Sequence, residues 1–320
     1  KLVKVQVAGS EEERVGITNN ALAVAQQLSS VESVLAVIGH FSSSASLQAA
    51  DEYANNDLIA VSPTSTAVRL GDYRNFLRTP PNDAVAAQYL AEYTTQQLGL
   101  ERVAIVHLAD GSSAYSQSFA DEFRKHLPSG SYVYEGESCD LSRGLDFSEE
   151  ACVNNAVAEG AEAILMVPDT DPQLALALRV AGVNADIVLL GADSVYNSLS
   201  LDEDGVYEKQ LTVAVPWHRS GTEFEQNANL MYSTSQVNWR SAMSYDAVQA
   251  IAGVLEDIPN VPSREEFLEN MNELREDGFD EGVVAGRIQF DDKGDRIQGQ
   301  DGLGVLVTVD PEEGFVFVNE

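Results

Sequence analysis

The feature that most constrains this chain is the alternation of short Val- and Ile-rich runs with segments of helical period. VLAVIGH, DLIAVSP, RVAIVHLAD, AEAILMVPD and ADIVLLGADS are of strand length and bounded by Gly, Pro, Asp or Ser, and KLVKVQVAG reads as a strand ahead of them. Between the first two lies NNALAVAQQLSS, whose Leu22, Ala25, Gln26 and Leu28 suit a helix; YSQSFADEFRKHL is amphipathic, and PQLALALRVAG reads as a further helix. Strand, helix and strand in this order form a parallel sheet with crossover helices, so the fold class is α/β. Later come a long helix, SAMSYDAVQAIAGVLEDI, a polar hairpin turn closing GRIQFDDKGDR, and a final strand pair, GLGVLVTVD and GFVFVNE.

At 320 residues the chain exceeds the roughly 250 to 300 at which one core stops growing, so two domains are expected. No Pro/Gly/Ser linker divides it, which places the boundaries where strands cross between lobes. The crossings are expected near residues 82, 217 and 297. That gives a first lobe of 1–82 plus 218–296 and a second of 83–217 plus 297–320.

Acidic side chains number 51 against 19 basic ones, for a net charge of -32. Such a chain repels a phosphate backbone, which excludes nucleic acid and anionic membrane surfaces as partners. Five of the 19 basic residues are lysine. Two readings of the charge stay open: adaptation to salt water, where a dense carboxylate surface is screened, and an ordinary soluble exported protein. No run approaches the roughly 20 apolar residues of a membrane helix. The first residues read as a strand and not as a signal peptide, so export implies a leader already removed.

Cys139 and Cys152 lie close in sequence. A bridge between them stabilises a secreted domain by roughly 3 kcal/mol, whereas in a reducing compartment they would be two buried thiols. Neither a CxxC nor a Cys/His cluster supports zinc. Asp202-Glu203-Asp204-Gly205 and Asp291-Asp292-Lys293-Gly294-Asp295 are short of a calcium loop and read as solvated turns. No GxSxG, SxxK or HExxH is present, and His40, the one histidine beside a hydroxyl cluster, reads as structural; no enzyme, cofactor or metal is expected.

Ligands of open α/β sheets bind outside the carboxyl ends of the strands, so the strand ends matter most. After VLAVIG comes His40-Phe41-Ser42-Ser43-Ser44, and after DLIAV comes Ser62-Pro63-Thr64-Ser65-Thr66. Hydroxyls there can cap a helix, and free N–H groups at a helix start can bind a carboxylate. Each cluster alone reads as caps and turn formers. Two on consecutive strand ends point to a ligand.

VIGHFSSSAS, IAVSPTSTAVRL, FLRTPPND, VAIVHLADGSSAYSQSFADEF, LLGADSVYN, SYDAVQA and IQFDDKGDR, in this order and spacing over nearly the whole chain, resemble the branched-chain-amino-acid type of ABC-transporter substrate-binding proteins. HFSSSASL, SPTSTAV, SAYSQSF, DSVYN and VPWH look closest to cyanobacterial members. The resemblance implies the two-lobed type I periplasmic-binding fold and capture of a small α-amino acid by lobe closure. It also implies a periplasmic or extracellular location, delivery to an ABC permease, and a monomer.

By motif position, Ser43 and Thr66 would hold the ligand's carboxylate, with Ser42 and Ser65 beside them, and Thr64 would offer its carbonyl to the ammonium. Asp193 would complete the ammonium site, Tyr115 would cover the ligand, and Asp83 matches a position at the first crossing. A zwitterion needs donors at one end and acceptors at the other, and hydroxyls with helix N-termini supply donors without a basic side chain. The bland alternatives are a helix cap for Asp193 and packing for Tyr115. The resemblance also implies a strand and helix ahead of KLVKVQVA that this sequence lacks. Thr170 and Asp171 stand where branched-chain binders place aromatics, which favours a smaller or more polar ligand. A ligand-sensing receptor domain that reports to a signalling partner is the competing reading of the same fold.

Overall fold

The structure is a computed structural model that describes residues 20–184, 186–202, 211–219, 221–232, 237–256, 258–282, 286–297 and 303–318. The expected first strand, KLVKVQVAG, and residues 203–205 of the first acidic turn lie outside the described residues. The strands in chain order are β1 (Ala36–Ile38), β2 (Ile59–Ser62), β3 (Phe76–Arg78), β4 (Arg102–His107), β5 (Tyr132–Tyr134), β6 (Ala163–Val167), β7 (Val188–Gly191), β8 (Thr212–Val215), β9 (Phe279–Gly282), β10 (Gly286–Ile288), β11 (Val305–Asp310) and β12 (Gly314–Phe317). The principal helices are α1 (Ala21–Ser29), α2 (Ser43–Asn55), α3 (Asp83–Glu92), α4 (Ala114–His126), α5 (Glu149–Ala158), α6 (Asp171–Leu178), α7 (Glu223–Tyr232), α8 (Trp239–Glu256) and α9 (Arg264–Asp277).

The chain divides into two compact units, Lys1–Pro80 with Arg240–Gly299, and Pro81–Trp239 with Gln300–Glu320. Residues 218–239 fall in the second unit, where the sequence reading counted them with the first. Aromatic packing accounts for this at the start of the segment: the His218 ring meets Tyr196 and Phe317 edge-on, both residues of the second unit.

In the first unit β1, β2 and β3 form a parallel sheet in that order, with Ala36 opposite Ile59 and Ala60 opposite Phe76. β2 is buried throughout, so its two faces build two cores. Ile59, Val61 and Leu77 pack with Ala250 and Val254 of α8 and Phe267 and Met271 of α9. On the opposite face Ala60 and Phe76 pack with Ala25 of α1 and Ala49 and Tyr53 of α2. The helix expected here forms as α1, which turns Ala21, Ala25 and Ser29 inward and leaves Leu22 and Gln26 exposed. The expected polar turn forms at residues 291–295, where the Asp291 carboxylate accepts from the Lys293 and Asp295 N–H groups at 2.9 Å.

Two arginines hold this unit together. Arg264, at the start of α9, donates to the carbonyls of Leu28, Ser29, Val31, Val34 and Asn56, gathering the ends of α1 and α2 at one guanidinium. Carbonyls at a helix end have no partner within the helix and carry partial negative charge, so a cation there is stabilising. Arg78, fully buried at the end of β3, pairs with Asp295 at 2.5 Å and donates to the Ala67 carbonyl at 2.7 Å.

The second unit is a seven-stranded sheet in the order β12-β11-β8-β7-β6-β4-β5. β4 to β8 run parallel, and β11 and β12 are the expected closing pair, antiparallel to each other. Val103, Ile105, Leu165, Val167 and Leu190 pack with Leu90 of α3 and Phe119 and Phe123 of α4. Cys139 and Cys152 are joined by a disulfide that ties the turn after β5 to α5, their Cα atoms 4.7 Å apart.

Two stability losses follow. The double replacement Cys139→Ser, Cys152→Ser is expected to cost about 3 kcal/mol in urea unfolding, the loop-closure value for so short a separation. Arg264→Ala is expected to cost about 2 to 4 kcal/mol, because five carbonyls lose one charged donor.

Candidate functional site

The sequence candidates fall into two groups, one in each unit. In the first unit, β1 and β2 run parallel side by side, so their carboxyl ends open onto the same edge. Ser42 caps α2, accepting from the Ala45 N–H at 3.2 Å. The His40 carbonyl, left by the end of β1, accepts from Ser62 Oγ at 2.9 Å and Ser65 Oγ at 3.0 Å, and Thr64 Oγ1 donates to the Phe41 carbonyl at 2.7 Å. Ser65 also meets Ser46 Oγ at 2.8 Å. These hydroxyls therefore serve the protein's own backbone.

Ser43 and Thr66 differ from them. Ser43 Oγ accepts from the Ala67 N–H at 3.2 Å, which leaves its own proton to donate. Thr66 Oγ1 is buried, on a residue 2% exposed, and has no hydrogen-bond partner among the described residues. A buried hydroxyl left unpaired costs about 1 to 3 kcal/mol, so native proteins seldom keep one without use for it. Both hydroxyls lie beside the first turn of α2, where backbone N–H groups and the helix dipole favour an anion. His40 takes no part: its ring bonds Tyr53 Oη at 2.8 Å and stacks on it, and burial lowers its pKa to about 4.

In the second unit, Tyr115 opens α4 after β4, and Asp193 follows β7. Ser113 caps α4, accepting from the Ser116 N–H at 3.1 Å. Tyr115 Oη donates to Ser194 Oγ and accepts from the Ser194 N–H, both at 3.2 Å, and so reaches the residue after Asp193. Asp83, the first residue of α3, is buried, as is Asp193. The phenol's pKa is pushed well up, first by burial and then by the charges of Asp193 and Asp83, so all three groups share one neighbourhood. Asp193 is not the cap of the short turn it opens; Ala192 holds that position. The arrangement offers carboxylate and phenol oxygens to a cation.

At the end of β6, Thr170 and Asp171 begin α6. Gln173 Oε1 accepts from the Asp169 and Thr170 N–H groups at 3.0 Å, and Asp171 accepts from Asn197 at 3.1 Å. Asp169 was not among the site residues read from the sequence. Its position after the apolar run AILMV, at a strand end, was the signal available. Among the described residues no group of three or more His, Cys, Asp or Glu side chains is arranged to hold a metal, the 291–295 turn included.

The periplasmic binding protein family matches residues 11–306. The chain therefore belongs to that family. Its members are substrate-binding proteins and not enzymes. Among curated proteins it is similar to an amino acid binding protein of Pseudomonas aeruginosa, 32% identical over 178 residues, which are 52% of this chain and 44% of that protein. The chain thus spans under half the length of that curated relative. Among solved structures, an ABC transporter substrate-binding protein from Desulfitobacterium hafniense in complex with Leu has a TM-score of 0.74 at 24% identity, covering 99% of this chain and 88% of that one. A leucine binding protein from Thermotoga maritima has the same TM-score at 20% identity, covering 100% and 87%. A solute binding protein from R. palustris in complex with benzoate has 0.73 at 12%, covering 94% and 81%. At these identities the structures speak for the fold alone.

Burial gives the site's surroundings a pH dependence. His40 and His218 both have pKa values lowered to about 4 by burial, the latter also by Arg219. Unfolded histidine takes its proton near about 6.5, so below that value the unfolded chain binds protons the folded one refuses. This contribution to stability is complete above about pH 6.5 and is lost as the pH falls towards about 4. Urea midpoints measured across that range are expected to decline, less steeply in His40→Gln.

Proposed function

We propose that the protein captures a small α-amino acid outside the cytoplasm and passes it to an ABC permease. The first unit takes the α-carboxylate through Ser43, Thr66 and the start of α2, with the Thr64 carbonyl turned to the ammonium. The second unit takes the ammonium at Asp193, with Tyr115 over the ligand and Asp83 nearby. Holding one ligand by both ends makes closure favourable only when the ligand is present.

The observation that carries this reading is the orphaned Thr66 hydroxyl beside the donor-competent Ser43, on a strand edge where neighbouring hydroxyls are committed to the backbone. An anion with two acceptor oxygens satisfies both. The buried carboxylates around Tyr115 supply the complementary end. Resemblance to the amino acid binding protein of P. aeruginosa supports the same class of ligand.

Isothermal titration with a panel of amino acids is expected to give micromolar or tighter binding; no heat for any of them overturns the proposal. Thr66→Val is expected to weaken binding by about 10-fold or more, the value of one charge-assisted hydrogen bond. Asp193→Ala is expected to weaken an amino acid far more than its deaminated analogue. Equal losses for both remove Asp193 from the ammonium site.

A further inference from the structure

β6 lies between β7 and β4 in the sheet, and all three run parallel. The loops after β4 and β7 deliver Tyr115 and Asp193, and the bond from Tyr115 to Ser194 spans the strand between them. What stands at the end of β6 therefore lies between the two residues assigned to the ligand. That position is filled by Asp169, Thr170 and Asp171.

Two of the three are committed to local structure. Thr170 begins α6 with its N–H on Gln173, and Asp171 is held by Asn197. Asp169 is different: its side chain accepts a hydrogen bond from Ser113, whose oxygen is occupied as the cap of α4. Burial raises the pKa of the Asp169 carboxyl, and the Ser113 bond opposes that rise; among the described residues no neighbouring cation contributes. A carboxylate has about four acceptor sites, and one hydroxyl fills one of them. The same stretch offers no aromatic or wholly aliphatic side chain to an aliphatic ligand.

We propose that Asp169 determines ligand specificity, accepting hydrogen bonds from a cationic group at the end of the ligand's side chain, so that the preferred ligands are basic amino acids such as arginine or lysine. This rests on the amino acid reading above and narrows it. The ligand's α-ammonium goes to Asp193, and its second cation goes to Asp169. A guanidinium suits the site well, since its forked donors match a carboxylate whose remaining lone pairs are open. An aliphatic side chain leaves Asp169 desolvated with the Ser113 hydroxyl alone to meet its charge, which costs affinity.

The test is a calorimetric panel of arginine, lysine, alanine and leucine on the full chain, unaltered and as Asp169→Asn. Asn keeps the shape and an acceptor for Ser113, and a melting curve checks that the variant is folded. The unaltered protein is expected to bind arginine or lysine at least about 10-fold more tightly than leucine, the value of one charge-assisted hydrogen bond. Asp169→Asn is expected to lose about 10- to 100-fold for arginine and under about 3-fold for alanine. Leucine binding as tightly as arginine, or equal losses for arginine and alanine, overturns the assignment and leaves the amino acid reading intact. No heat for any amino acid removes that reading and this one with it. The ranking by the unaltered protein needs no variant, so a misfolded Asp169→Asn does not rescue the assignment.

Discussion

The first unit depends on a guanidinium with no exposed surface. Arg78 joins the end of β3, the polar turn through Asp295 and the carbonyl of Ala67. Burying such an ion costs several kcal/mol unless its partners are well placed, so the pair holds the three segments in one arrangement. Gly294, at φ +75°, lets the turn approach so closely that an added Cβ would lie 2.1 Å from the Phe76 carbonyl. Ala67 then carries the effect onward. Its carbonyl is held by Arg78 while its N–H occupies Ser43 Oγ, and Thr66 is the residue before it. A charge pair some residues away in sequence thus holds the peptide whose N–H meets Ser43 Oγ.

Around that brace the hydroxyl-rich edge divides its work. Ser42, Ser62, Thr64 and Ser65 satisfy a helix start and the carbonyls that β1 leaves behind, which is what buried backbone at a strand end requires. Ser43 and Thr66 are left with donating capacity. In the second unit Ser113 and Thr170 cap helices in the same way, and buried carboxylates gather around the Tyr115 phenol. The proposed carboxylate site relies on hydroxyls and a helix start and not on a basic side chain, in a chain whose charge is strongly negative.

Much of this was legible in the sequence, because strand and helix periods survive averaging over several residues. The runs at β2, β4, β6 and β7 and the closing pair β11 and β12 were readable from β-branched content and turn residues alone. β3, β5 and β8, of three or four residues each, passed unremarked, being too short to show a period. The inner face of α1 was not readable, since Ala and Ser on it give no hydrophobic contrast with Leu22 outside. Which hydroxyl in a cluster is spent on the backbone was not readable at all. That depends on which carbonyl lies within 3 Å, as the contrast between Ser65 and Thr66 shows. Arg264 and Arg78 were likewise silent, because their partners are backbone carbonyls and a distant aspartate.

Thr66 also bears on how such a chain changes over generations. A valine there would fill the same space and remove an unsatisfied polar atom, so selection for stability alone favours losing the hydroxyl. On the proposed reading, the position is one where the folded state is kept below its attainable stability for something outside the polypeptide. In a copy that no longer has a ligand to hold, this is among the first positions expected to drift, and the drift would leave the fold sounder than before.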